Sequence, residues 1–263
     1  MSSTGTALPL TTTPRGAGLR KLVLTEAKLY LREPVTAFFA IALPLALLLV
    51  LGSAIPGFRE AVPELGGERV VDTQLPAMMI MLSVVTAAFT VIPAVLALYR
   101  ERGILRRMST TPASPRNVLA AQLMLNLATA TVATALTIFF GHLVLGTRVP
   151  AHLPWFLLSF VLGVCAMFAI GLALAAVVPN SRAASGVGAI VMFPLLFLGG
   201  MWIAREMMPE LLRRLSDFTP TGAFGQAMRD AWSGTAPQAL HLIVLAVWAV
   251  VAGLFAARLF RWE

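Results

Sequence analysis

The sequence predicts an all-α integral membrane protein of six transmembrane helices, with an N-terminal amphipathic elbow helix before the first and a re-entrant outer hairpin before the last. Composition is the first reason: 58% of the residues are hydrophobic and only 12% are charged, about half the charged fraction of an ordinary soluble domain. Mean hydropathy is +0.84, which excludes a soluble enzyme. Spacing is the second reason. Stretches free of Asp, Glu, Lys and Arg run through 34–58, 73–99, 117–147, 149–181, 183–204 and 231–257, and each can hold the ~20 helical residues that cross a bilayer. The third is that the charges between these stretches are segregated by sign.

Residues 1–17, rich in Thr, Ser, Gly and Pro, are expected to form a disordered cytoplasmic leader, and 18–263 a single transmembrane domain. The first apolar run begins only at Val35, behind a basic leader, so no signal peptide is expected. Over 18–33, apolar Leu19, Leu22, Val23, Leu29 and Tyr30 alternate with Arg20, Lys21, Lys28 and Arg32. At helical spacing this is a basic amphipathic helix lying on the inner membrane surface; the alternative is a solvated leader. The spans are expected at about 35–55, 75–99, 118–146, 153–178, 183–203 and 238–257. Pro179-Asn180-Ser181-Arg182 separates the fourth from the fifth with turn chemistry. Between the fifth and sixth, Met207, Met208, Leu211, Leu212, Leu215 and Phe218 mix with Arg213, Arg214 and Asp217. Pro220 and Gly222 are expected to break that helix before a second piece with Phe224, Met228 and Trp232. Two short helices dipping into the outer leaflet fit this pattern; an ordinary outer loop is the alternative. No internal repeat of the kind found in many secondary transporters is visible.

Charge sets the orientation. With an even number of spans both termini share a side. That side holds Arg15, Arg20, Lys21, Lys28, Arg32, Arg100, Arg102, Arg106, Arg107, Arg116, Arg182, Arg258 and Arg261 against Glu26, Glu33, Glu101 and Glu263. The other side has seven basic and eight acidic residues. Both termini and the 100–117 loop are therefore cytoplasmic. The net charge of +8 reflects this bias, and no nucleic-acid partner is expected.

Several chemistries are missing. Ion-driven transporters keep ionisable groups inside the membrane, and none of the six windows has an Asp, Glu, Lys or Arg. A phosphate-binding loop needs Gly-Lys-Ser/Thr, yet the only lysines, Lys21 and Lys28, each precede leucine. No catalytic constellation, metal set or cofactor site is visible in the spans, and Cys165 reads as packing. Polar residues there are mild. Gln122 and Asn126, one turn apart, line either a substrate path or a contact between helices.

The most informative segment is the polar run Tyr99-Arg100-Glu101-Arg102-Gly103-Ile104-Leu105-Arg106-Arg107-Met108-Ser109-Thr110-Thr111-Pro112. Its motif, with Thr111-Pro112-Ala113-Ser114 after it, resembles an E-R-x-x-G-T-L-x-x-L-x-x-T-P-like run of the permease subunit of type-2 ABC transporters. Leu31-Arg32-Glu33-Pro34 is similar to the same family's approach to its first span. Phe193-Pro194 through Met208-Pro209, and Phe218-Thr219-Pro220-Thr221 through Ala227-Met228-Arg229, resemble its span-five-to-six region. The likeness is greatest to the bacterial drug-exporter branch typified by daunorubicin-resistance permeases, and it covers nearly the whole chain. One departure is Thr219-Pro220-Thr221-Gly222-Ala223-Phe224, where the family usually reads Asn-Pro-Leu-Thr-Tyr.

The resemblance implies a permease subunit of an ATP-driven exporter of amphiphilic drug or lipid-like compounds in the bacterial inner membrane. ATP and Mg would be held by a separate cytoplasmic ABC ATPase in two copies, and a second permease chain, identical or homologous, would complete the assembly. It also implies that 100–115 is a coupling helix seated in the ATPase. Glu101 would pair with a basic residue of that partner, Arg102, Arg106 and Arg107 would meet its acidic rim, and Ile104, Leu105 and Met108 would form an apolar ridge. Gly103 allows close approach and Pro112 ends the helix. Asn180 and Arg182 would form a second cytoplasmic contact. The other reading of these arginines is topology and binding of anionic membrane lipids. Gln122, Asn126, Met78, Phe193, Met201 and Phe224 are candidates for the substrate path. Lipid or polysaccharide export, an ATP-independent scaffold and an intramembrane enzyme are the competing functions.

Overall fold

A computed structural model describes residues 27–28, 30, 32–63, 66–104 and 115–259. The leader at 1–17, most of the elbow segment at 18–33, and Leu105, Arg106, Arg107 and Pro112 lie outside the described residues. Six helices are long and apolar enough to cross a membrane: α1 (Pro34–Ala54), α2 (Gln74–Glu101), α3 (Asn117–Leu145), α4 (Leu153–Val177), α5 (Ser181–Leu198) and α8 (Ala239–Leu259). Two shorter helices, α6 (Glu210–Phe218) and α7 (Pro220–Ser233), stand between α5 and α8. There is no strand among the described residues beyond an isolated bridge between Ala61 and Arg69.

The hub is α2, buried along most of its length, whereas α1, α5 and α8 expose most of theirs. Two prolines shape α1 and α2. Pro44 and Pro93 each follow a single wide turn, Phe38–Ala42 and Ala87–Val91. Proline has no N–H and clashes with the carbonyl four residues back, and a widened turn is one way to relieve this. The Ala40 carbonyl freed in α1 accepts a hydrogen bond from the Ser83 hydroxyl of α2 at 2.5 Å, so it is not left bare in an apolar setting. In α2 the wide turn is met by two glycines. A Cβ at Gly171 of α4 would lie 2.2 Å from the Ala88 carbonyl oxygen, and one at Gly188 of α5 would lie 2.0 Å from that of Phe89. Only the absence of a side chain lets these three helices approach so closely.

Five spans end close to where hydropathy places them. The fifth was expected to reach 203 but ends at Leu198. Gly199 and Gly200 turn the chain, with Gly200 at φ 86°, a conformation open to glycine. The 204–236 region does contain two helices, and Pro220 opens the second, but Gly222 takes no part in the break between them. It lies within α7, where a Cβ would sit 2.0 Å from the Ser216 carbonyl oxygen. The break is at Thr219, whose hydroxyl caps α7 by accepting from the Gly222 N–H at 3.1 Å. Helix α7 is almost wholly buried against α4, α8, α2 and α5. Trp232 packs edge-on to Phe156, with ring centroids 5.5 Å apart, and donates from Nε1 to the Arg148 carbonyl at 2.8 Å.

Candidate functional site

At one end of the bundle the last turn of α2 meets the first turn of α5. Asn180 caps α5, its Oδ1 accepting from the Ala183 N–H at 2.7 Å. The Glu101 carboxylate accepts from the Ser181 N–H at 2.8 Å and from its hydroxyl at 2.9 Å. A carboxylate beside free N–H groups at a helix N-terminus is favourably placed. Arg100 donates to the Ala175 carbonyl in the last turn of α4, where a cation complements the helix dipole. Gly103, at φ 64°, turns the chain out of α2. Glu101, Arg102, Gly103, Ile104, Asn180 and Arg182 are thus gathered at one end of α2 and α5. The Glu101 carboxylate, expected to reach for a partner's cation, is engaged within its own chain.

From this end a groove of about 870 Å³ runs between α1, α2 and α5. Glu33, Ser181 and Arg182 line it near its start, Thr86, Thr90 and Met192 along its course, and Phe193, Met201 and Trp202 towards the other end. Phe193 and Trp202 stack with centroids 6.2 Å apart. A second cavity of about 440 Å³ lies beyond, between the far end of α1 and the start of α2, and shares Met201 and Trp202 with the groove.

The candidate path residues are distributed unevenly over these spaces. Phe193 and Met201 line the groove, while Met78 and Met201 line the second cavity. Gln122 lines a hollow of about 160 Å³ that shares Val91, Val95 and Leu98 with the groove. Its Nε2 is 3.5 Å from the Tyr99 hydroxyl. Asn126 is buried and donates from Nδ2 to the Gln122 carbonyl at 2.8 Å, a bond within its own helix. Phe224 lines neither large cavity. It is fully buried in the space left by Gly163, where a Cβ would fall 2.1 Å from its ring. Thr86, Thr90 and Trp202 were not singled out as path residues from sequence. The i, i+4 threonines on α2 carried a signal, and Trp202 carried none beyond its place after two glycines.

The opposite end holds most of the acidic residues. Arg69 forms a two-point pair with Asp72, and Arg148 reaches Glu68. Behind α6, Arg205 grips Asp217 at 2.7 and 2.6 Å, and His241 Nε2 lies 3.4 Å from the same carboxylate. Burial pushes the Asp217 carboxyl up, but the Arg205 guanidinium and His241 together hold it below its ordinary value.

Residues 18–232 match the ABC-2 type transporter family. The daunorubicin resistance ABC transporter permease protein DrrB1 of Streptomyces coeruleorubidus is 32% identical over 172 residues, which cover 61% of this chain and 59% of the relative. The chain thus aligns with less than two thirds of that relative's length. With most of its residues inside the family match and six membrane-crossing helices in its fold, this integral membrane protein belongs to the ABC-2 type transporter family.

Proposed function

We propose that the chain is the membrane-spanning permease subunit of an exporter that moves amphiphilic drug or lipid-like compounds out of a bacterial cell. ATP and Mg belong, in this reading, to a separately encoded cytoplasmic ABC ATPase present in two copies. A second permease chain completes the transport unit. The protein resides in the inner membrane with both termini in the cytoplasm, a placement supported by the arginines around Glu101 and Arg182 and the acidic residues at the far end.

The observation that carries the reading is the groove between α1, α2 and α5. Its walls are mostly aliphatic and aromatic, with Thr86 and Thr90 as mild polar points and Glu33 and Arg182 at one end. Such a lining suits a compound with an apolar body and a polar head. The Glu101–Ser181 contact supports coupling, because it ties the two segments proposed to meet the ATPase, 100–115 and 179–182, to each other. A push on either segment is then felt at both α2 and α5, the walls of the groove.

The test is ATP-dependent uptake of daunorubicin into inverted membrane vesicles that contain the chain and its co-expressed ATPase. Uptake that requires ATP and both proteins supports the reading. ATP hydrolysis with no accumulation of daunorubicin removes drug-like compounds from it, and uptake without ATP overturns it.

A further inference from the structure

We infer that the groove between α1, α2 and α5 holds a zwitterionic phospholipid, with Glu33 binding the ammonium and Arg182 the phosphate of a phosphatidylethanolamine head group. This names an occupant that the surrounding membrane supplies, and it goes beyond the exporter reading. Two observations carry it: opposite charges left unpaired at one mouth of the groove, and the depth and openness of the apolar walls behind them. Glu33 and Arg182 both line the groove and both are exposed. Glu33 stands immediately before α1 and Arg182 is the second residue of α5, so both charges lie where their spans begin. In the orientation proposed above this is the inner membrane surface, the level of lipid head groups.

Neither charge is consumed within the chain. The Glu33 carboxylate accepts from the Thr36 hydroxyl at 3.3 Å and forms no ion pair among the described residues. Arg102, which shares the smaller hollow with Glu33, is not within ion-pair distance of it. Arg182 lies in the field of Glu101, but both oxygens of that carboxylate are taken by Ser181. Its guanidinium makes no hydrogen bond or ion pair of its own among the described residues. A fork of N–H donors suits a phosphate, and a carboxylate suits an ammonium that has N–H to donate. Behind this mouth, Val35 and Phe39 of α1 and Phe193 of α5 line the groove while remaining exposed themselves. In a bilayer the groove therefore opens sideways onto acyl chains. Arg182 and Phe193 are three turns apart on α5, about 16 Å, and one leaflet of hydrocarbon is about 15 Å deep. A lipid whose head lies at Glu33 and Arg182 thus has apolar wall along the full depth of its leaflet. The head group is selected by charge and by donors. Phosphatidylglycerol has no cation for Glu33, and phosphatidylcholine has a cation without N–H.

The test places the full-length chain in nanodiscs of equal parts phosphatidylethanolamine, phosphatidylcholine and phosphatidylglycerol, releases it in mild detergent, and reads the lipids still bound by native mass spectrometry. The wild type should retain phosphatidylethanolamine over either competitor by about fivefold, the size of one ion pair at a surface. Glu33→Gln should abolish the preference over phosphatidylcholine. Arg182→Gln should lower retention of both zwitterionic lipids alike. Ala189→Trp, which fills the groove between Arg182 and Phe193, should lower retention of all three. Equal retention of the three lipids by the wild type would overturn the proposal. So would a preference for phosphatidylglycerol, which would leave Arg182 as a contact for anionic lipid alone. Retention unchanged in every variant would overturn it too, and is the result expected if a second copy of the chain covers the groove instead. Neither ATP nor an ATPase enters the measurement, so its failure leaves the exporter reading standing, and failed drug uptake leaves the lipid site standing.

Discussion

Glu101 and Ser181, 80 residues apart, are joined by two hydrogen bonds of 2.8 and 2.9 Å that use both carboxylate oxygens. One is made to the backbone of the first residue of α5, so the end of α2 acts as a cap for the start of α5. In the proposed exporter this contact makes one unit of the two segments nearest the ATPase. Glu101→Gln and Ser181→Ala should each lower substrate-stimulated ATP hydrolysis of the assembled complex about tenfold, an ordinary size for a coupling interaction. The double variant should lose no more than either single one. Losses that simply add would show that the two residues act separately.

The Ser83 hydroxyl donates to the Ala40 carbonyl, which Pro44 deprives of its usual i+4 N–H donor. Ser83→Ala should cost about 1 kcal/mol in a reversible unfolding titration in detergent, typical of a hydrogen bond between membrane helices. In a Pro44→Ala background the cost should shrink, because an alanine there brings an N–H that its own helix can use. An equal cost in both backgrounds would assign Ser83 a different role.

The Gly171 and Gly188 contacts involve backbone carbonyls of α2, which cannot rotate away as a side chain would. Gly171→Ala and Gly188→Ala should each destabilise the chain by about 1–3 kcal/mol, the usual range for overpacking. Gly253 of α8 has nothing within 4 Å of an added Cβ, and Gly253→Ala should leave thermal unfolding in detergent unchanged. Similar unfolding temperatures for all three variants would contradict the packing.

Asp217 is held below its ordinary value by Arg205 and His241, against the opposing effect of burial. A carboxyl depressed in the folded state contributes stability that is fully present above its unfolded value, about 3.9. That contribution fades as pH falls through the lower folded value. Stability should therefore be flat in this respect from pH 7 to about 5 and decline below about pH 4. Asp217→Asn should cost roughly 2 kcal/mol at neutral pH, as expected for removing one partner of a charge-assisted pair, and should remove this part of the acid decline. A variant that keeps the full decline would move its origin elsewhere.

What sequence alone discloses here follows from what is local. Charge-free windows mark the six spans because the bilayer imposes length and polarity on contiguous residues. The end of α5 is misplaced because Gly199-Gly200-Met201-Trp202 is still apolar by hydropathy, while the turn is made by the φ of Gly200. Helix α7 reads as the second piece of a hairpin dipping into the outer leaflet; that α4 and α8 enclose it is set by residues far away in the chain. Phe224 is drawn towards the substrate path by its place in the hairpin, but the hole it fills is made by Gly163, far away in the chain. Glu101 stood out at once as one acid among arginines. Its partner did not, since nothing around Ser181 announces an approach to α2.

The central claim is that this chain works through an ATPase seated on the segment beginning at Glu101. The most direct measurement places a photo-crosslinking amino acid at Ile104, and another at Met207 at the opposite end, in the full chain expressed in its native host. The account expects Ile104 to crosslink to a P-loop ATPase and Met207 not to. A chain that crosslinks to no ATPase from Ile104, and purifies from mild detergent without one, would contradict it.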